Sequence, residues 1–278
     1  MAVWKAYVDF SGTDPQSTFI SVGVAIATAN TWNKILPRWY DVLKKYELTE
    51  YHASDFNNYA GQYSGLTKET QLSCHKELIE LLAVVNLQYV IHTIRRSEFE
   101  IALGRFPQVK RFEPYDYMLE IGVFEIKYWG EKKRADADIG IIIETGEKHN
   151  SDVFHLLLRM CEHGELGKIS HIEMMEKKKC FSFQIADLLA YEGYRAVMNK
   201  VTKPVRPERG SFAAIKSGNP WKHYSHNYIT ARDWIEKTHL WLVNNPQLHK
   251  SVRRGGPSIY GGSLPGAPLL AVGFREQF

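Results

Sequence analysis

Val3-Trp4-Lys5-Ala6-Tyr7-Val8-Asp9-Phe10 sets Trp4, Ala6, Val8 and Phe10 against Lys5, Tyr7 and Asp9, the period-two alternation of a half-buried strand. The turn Ser11-Gly12-Thr13-Asp14-Pro15 breaks the chain, and Phe19 to Ala27 follows as a second apolar, β-branched run. The pair reads as an antiparallel hairpin with Asp9 near its connecting loop, at the rim of a sheet. Beyond it, Trp32, Ile35, Leu36, Trp39, Tyr40 and Leu43 recur at helical spacing despite Pro37, and a long helix opens near Thr67, with Thr67 and Thr70 as cap candidates. Leu87 to Ile94 is a strand, Glu113 to Gly130 a buried helix opened by Pro114, and Asp138 to Glu144 a continuous apolar run suited to a central strand. Asp152 to His163 is helical, Ile169 to Met175 a strand, and Ser182 to Met198 and Ile229 to Val243 are helices. Strands alternating with helices predict an α/β fold, a mixed β-sheet flanked by helices.

Three acids close or sit within these apolar elements: Asp9, Glu144 at the end of Ile139-Gly140-Ile141-Ile142-Ile143-Glu144, and Asp187 within Gln184-Ile185-Ala186-Asp187-Leu188-Leu189-Ala190-Tyr191. A carboxylate among apolar neighbours must find a hydrogen-bond partner, take up a proton or bind a cation. If Asp9 and Glu144 lie on neighbouring strands and Asp187 on a helix across their ends, the three converge as a hard-cation site. Oxygen ligands of this kind select Mg²⁺ or Mn²⁺ rather than zinc. Two such ions, about 4 Å apart, suit in-line phosphodiester hydrolysis. Taken singly, Asp187 reads as a surface residue of a helix and Glu144 as a strand-end acid capping a turn.

Composition permits this chemistry without pointing to it. The 278 residues, 44% hydrophobic and 13% aromatic, can bury a substantial core, which excludes a disordered or fibrous chain. Cys74, Cys161 and Cys180 form no CxxC pair, against a disulfide framework or a zinc knot. The N-terminus runs straight into the first strand and no apolar run is long enough to span a bilayer, so a soluble cytoplasmic protein without a membrane partner is expected. Net charge is +4, unevenly spread: from Arg195 to Arg254 basic residues are opposed only by Glu208, Asp233 and Glu236, with Trp221, His223, Tyr224, His226, Tyr228 and Trp234 interleaved. Such a stretch holds phosphates and stacks on bases, or is a solvated basic face over ordinary core aromatics. The expected organisation is a domain over 1–200 and a basic, aromatic C-terminal helical extension over 201–278, Gly- and Pro-rich from about residue 254.

The order and spacing of Tyr7-Val8-Asp9-Phe10-Ser11-Gly12, Glu50-Tyr51-His52-Ala53-Ser54, Ile142-Ile143-Glu144 and the helix motif Gln184 to Tyr191 resemble the domain-of-unknown-function 3800 family, placed among the RNase H-like folds. The likeness covers residues from about 3 to 200. It implies an RNase H-like sheet with Asp9, Glu144 and Asp187 as metal ligands. Two positions depart from the family pattern: Phe10 stands where a Glu is usual, and Glu144 where an Asp is usual.

Around these acids, Glu50 is a candidate ligand or substrate contact and His52 a candidate proton shuttle to the leaving oxygen; the alternative is a loop whose His caps a backbone carbonyl. Ser11 in its turn and Gln184 on the helix face are candidate substrate contacts, as are Lys148 and His149 just after Glu144. The leading reading is a Mg²⁺- or Mn²⁺-dependent nuclease acting on DNA or RNA. Its alternatives are a nucleic-acid- or partner-binding module that kept the fold and lost catalysis, and a hydrolase of a small phosphorylated substrate, which needs a closed pocket.

Overall fold

The computed structural model describes residues 2–85, 87–106, 112–133, 137–144, 152–218, 221–226 and 228–244. In chain order the elements are β1 Ala2–Ser11, β2 Phe19–Thr28, α1 Ala29–Lys45, α2 Ala53–Asn58, α3 Lys68–Ala83, β3 Gln88–Arg95, α4 Arg96–Leu103, α5 Pro114–Lys133, β4 Ala137–Glu144, α6 Asp152–Glu162, β5 Ile169–Met175, α7 Ser182–Val201, α8 Gly210–Gly218, β6 Trp221–His226 and α9 Tyr228–Asn244. A 3₁₀ turn, Lys177–Lys179, joins β5 to α7. The strands form one six-stranded sheet in the order β5-β4-β1-β2-β3-β6. β2 is antiparallel to β1 and β3, while β1–β4, β4–β5 and β3–β6 pair in parallel. This is the expected α/β class, a mixed sheet flanked by helices.

The alternation in β1 divides the core. Trp4, Ala6, Val8 and Phe10 face one side, with Ile139, Ile141 and Ile143 of β4, and pack under α5, α6 and α9. Tyr7 faces the other, where Trp32 and Trp39 of α1, Leu78 of α3 and Ile185, Leu188 and Leu189 of α7 close the second core. Helix starts follow local chemistry: Thr28 Oγ1 accepts from Thr31 N at 3.1 Å and Thr67 Oγ1 from Thr70 N at 3.1 Å, each satisfying a first-turn amide that has no partner within its helix. Pro37 lies within α1 on its exposed side. α7, expected to turn one polar face outward, is buried on all sides from Ser182 to Gly193, because α2 and α8 pack on it opposite the sheet.

The described residues after 200, a stretch expected as an extension, add to the same layers. β6 pairs with β3, and α8 packs on α3 and α9 on α4. Glu192, fully buried on α7, accepts from Ser211 Oγ at 2.8 Å and pairs with Arg209 at 3.3 Å and His75 at 3.5 Å. Arg209 also donates to Asn57 Oδ1 at 2.8 Å. Such a buried charge is held only by partners of this kind, so the segment entering α8 is fastened to α7. Trp234, one of the aromatics interleaved in the basic stretch, is core, as the reading of that stretch as a basic face over ordinary core aromatics expects of it: its ring lies 5.1 Å from Tyr117 and 5.3 Å from Phe112. The Gly- and Pro-rich tail lies outside the described residues. Among those described, no helix is long and apolar enough to cross a membrane.

Glu120 of α5 is buried in the first core. Burial pushes its carboxyl from 4.5 up to about 8, opposed by the Trp234 indole and reinforced by Asp116. Between those pH values the folded protein keeps a proton that the unfolded chain has released, so this group's contribution is full below 4.5 and is lost as pH rises through about 8. Glu120→Gln removes that dependence. In denaturant titrations across this window, the stability difference between the Glu120→Gln variant and wild type should grow in favour of the variant by about 1 kcal/mol per pH unit; parallel curves would show that Glu120 does not titrate there.

Candidate functional site

The sheet register brings Asp9 and Glu144 to one edge. β1 and β4 run parallel, with Val8 opposite Ile143, so the next step of each strand sets Asp9 beside Glu144 on the same face, about 5 Å apart from strand to strand. Both stand at the carboxyl ends of their strands, the edge at which open α/β sheets bind ligands. α7 crosses this face and delivers Asp187. Its approach needs an absent side chain: a Cβ on Gly23, the cross-strand partner of Asp9, would lie 2.4 Å from the Ala186 carbonyl oxygen and 2.5 Å from the Ala190 nitrogen. The helix backbone therefore rests directly on β2, one residue from Asp187.

Asp9 and Asp187 converge on a cation that the sequence pattern does not single out. Lys177 Nζ lies 2.9 Å from Asp9 Oδ2 and 3.1 Å from Asp187 Oδ2. The two carboxylate side chains are 3% and 5% exposed, the lysine side chain 23%, so the lysine is the most exposed member of the cluster. Burial pushes the Asp9 carboxyl up to about 7; Lys177 opposes the rise, and Asp187 and Glu144 add to it. Glu144, half-buried, is also raised, first by burial and then by Asp187, against the pull of Lys177. At Lys177 burial disfavours the charge, yet Asp187 and Asp9 outweigh it and hold its pKa above the ordinary lysine value. Among the described residues one monovalent cation thus serves Asp9 and Asp187, with Glu144 on the neighbouring strand. Its one sequence signal is the run Lys177-Lys178-Lys179 shortly before the Gln184 to Tyr191 motif.

Other expected site residues take different parts. Asp187 Oδ2 accepts from the Ala53 amide at 2.8 Å. Gln184, expected to touch substrate, is buried, and its Oε1 accepts from the Tyr51 amide and the Trp39 indole, each at 2.9 Å. The Glu50 to Ser54 segment therefore reaches the site through backbone amides rather than side chains. Glu50 is exposed and supplies its carbonyl to Tyr63 Oη at 2.9 Å. His52 sits 2.9 Å from Asp55 Oδ2 through Nδ1 and is one residue from the amide that orients Asp187. Ser11 ends β1 opposite Ser21. Lys148 and His149 lie outside the described residues. Phe10 points to the opposite face from Asp9 and packs on Tyr115, ring centroids 4.3 Å apart, so the side chain at this position does not reach the Asp9 cluster.

Further toward the amino end of β1, on the same sheet face, a cavity of about 500 Å³ is lined by Lys5, Tyr7, Trp32, Tyr40, Lys179 and Phe181, among others, with no acid in its wall. Tyr40 and Phe181 are exposed aromatics packed edge to face at 6.0 Å.

For a divalent ion the donor set is suitable: two buried carboxylate oxygens already share one cation, and hard oxygen donors match Mg²⁺ or Mn²⁺. Among the described residues no group of three His, Cys, Asp or Glu side chains is drawn together as a metal cage. The geometry offers one shared cation position, with Glu144 beside it, and no assembled second one among those residues.

No family model matches the chain, and no curated protein matches it. Among solved structures it is similar to the ribonuclease H2 from Pyrococcus horikoshii OT3, with a TM-score of 0.42 and 12% identity, covering 90% of this chain and 99% of that one.

Gly23→Ala tests the seat of α7. The added methyl must push the helix from β2, costing about 1–3 kcal/mol as overpacking does, and must separate Asp187 from Asp9. Chemical denaturation should show the loss, whereas a variant as stable as wild type would mean that the helix shifts freely.

Proposed function

We propose that this chain is a divalent-metal-dependent nuclease of RNase H-like architecture, related to the domain-of-unknown-function 3800 family. One observation carries the reading: Asp9 and Asp187, brought from a strand end and a buried helix, place a carboxylate oxygen each within 3.1 Å of a single cation. Two buried acids so placed do little for packing, since an ion pair here costs desolvation that an apolar pair would avoid.

In this reading Asp9 and Asp187 hold the ion, and Glu144, the register neighbour of Asp9, joins them. When bound there, Mg²⁺ or Mn²⁺ supplies polarisation of a phosphoryl oxygen and a water of lowered pKa. The Ala53 amide fixes the rotamer of Asp187, and Gln184 ties α7 to α1 through Trp39, so the carboxylates are set before any substrate arrives. Lys179 and Lys5 in the cavity on the same sheet face pair with backbone phosphates, while Tyr40 and Phe181 offer surfaces on which bases stack. The cavity is open, which suits a polymer better than a small phosphorylated substrate.

A second reading is favoured by Lys177 itself. A lysine that permanently neutralises Asp9 and Asp187 makes the same surface a nucleic-acid-binding module without catalysis. The deciding assay is cleavage of single-stranded, double-stranded and hybrid oligonucleotides with Mg²⁺ or Mn²⁺. Asp9→Asn and Asp187→Asn should each lower the rate on the order of a hundredfold or more while retaining nucleic-acid binding. His52→Ala should cost less than about tenfold, below the ~10²–10⁴ contributed by a general acid or base. Salt-sensitive binding with no cleavage under any metal condition selects the binding module.

A further inference from the structure

We propose that Lys177 is the resident counter-ion of the metal position, an ammonium that a divalent ion must displace, so that this one side chain sets the metal concentration at which the site fills. The inference rests on the metal reading above and adds to it a competitor built into the chain. Lys177 Nζ is within 3.1 Å of both carboxylates, and a dication cannot share that space with it. The acids are nearly sealed, at 3% and 5% exposure, whereas the lysine side chain is 23% exposed. The lysine side chain is thus the most exposed of the three that make the cluster. Lys177 is also placed to leave. It stands in a three-residue 3₁₀ turn between β5 and α7 with no buried residue in it, so its flexible stem can swing outward without disturbing either core.

Charge supplies the reason for such a device. Asp9 and Asp187 ionised side by side repel, and with Glu144 beside Asp9 the edge carries up to three negative charges. Without metal the ammonium offsets one of them, which lets the acids remain close and aligned. A divalent ion offsets two and is the stronger partner once it is present in excess. Every ion that binds must also release an ion pair, so wild-type affinity is lower than the carboxylates alone would give. A free lysine beside Lys178 and Lys179 then adds positive charge at the edge where a phosphodiester enters.

Two measurements test this without relying on activity. Mn²⁺ alone is titrated calorimetrically into full-length wild type, Lys177→Gln and Lys177→Arg. Lys177→Gln should bind roughly tenfold more tightly or better, while Lys177→Arg, which keeps the charge, should bind as weakly as wild type or more weakly. Because Lys177→Gln leaves two buried acids without their cation and is the variant most at risk of unfolding, the second measurement uses wild type: competitive amine labelling read by mass spectrometry. Lys177 should be protected without Mn²⁺ and labelled in its presence, with Lys179, 66% exposed, as the unchanged internal reference. Equal Mn²⁺ affinities together with unchanged Lys177 labelling would overturn the inference and leave the metal reading intact. No Mn²⁺ binding by any of the three proteins would overturn both.

Discussion

The bridge from Lys177 Nζ to Asp9 and Asp187 is the contact on which the functional edge depends. Two buried carboxylates a few ångströms apart are costly unless a cation lies between them, and the rise of the Asp9 pKa to about 7 shows that one ammonium does not fully offset the burial and the neighbouring acids. Among the described residues, Lys177 is the cation that reaches Asp9 and Asp187. What its charge leaves unbalanced, a hard divalent ion or a protonated acid is able to relieve.

The bridge exists because α7 lies unusually low on the sheet. At Gly23 there is no room for a side chain beneath the helix, and at Gly193 an added Cβ would meet Ile91 at 2.2 Å. These two contacts fix the helix over β2 and β3, close to the turn of α7 that carries Asp187. The second half of α7 is held from above by Glu192 with Arg209 and Ser211. The C-terminal segment therefore takes part in placing Asp187 through the helix it fastens. A single buried helix carries both Asp187 and the Glu192 anchor for the segment entering α8.

The Glu50 to Ser54 segment illustrates a motif whose residues act through their backbone. Its carboxylate and imidazole invite an acid–base reading, yet the groups that reach α7 are the amides of Tyr51 and Ala53. Any sequence that holds this turn can supply amides, so side-chain chemistry is a poor guide there. Gln184 is the converse case. Its amide group is polar and sits on the motif helix, but tertiary packing commits it to Trp39 and Tyr51.

The class of fold, the β1–β2 hairpin, the caps at Thr67 and the strand-end positions of Asp9 and Glu144 were legible in the sequence, because period-two and helical alternation, turn residues and capping are local properties that a few neighbouring residues settle. The convergence of Asp9, Glu144 and Asp187 was an inference from those ends; the register sets Asp9 beside Glu144 and the bare Gly23 surface admits α7, while among the described residues the three do not assemble as a group. Lys177, the burial of α7 along Ser182 to Gly193, the packing of β6, α8 and α9 into the same layers and the amide contacts of Tyr51 and Ala53 with α7 were decided only by tertiary structure. Each depends on groups from elements far apart in the chain, and which partner a buried charge or amide finds is fixed by what the folded packing leaves within a few ångströms of it, a quantity no local pattern contains.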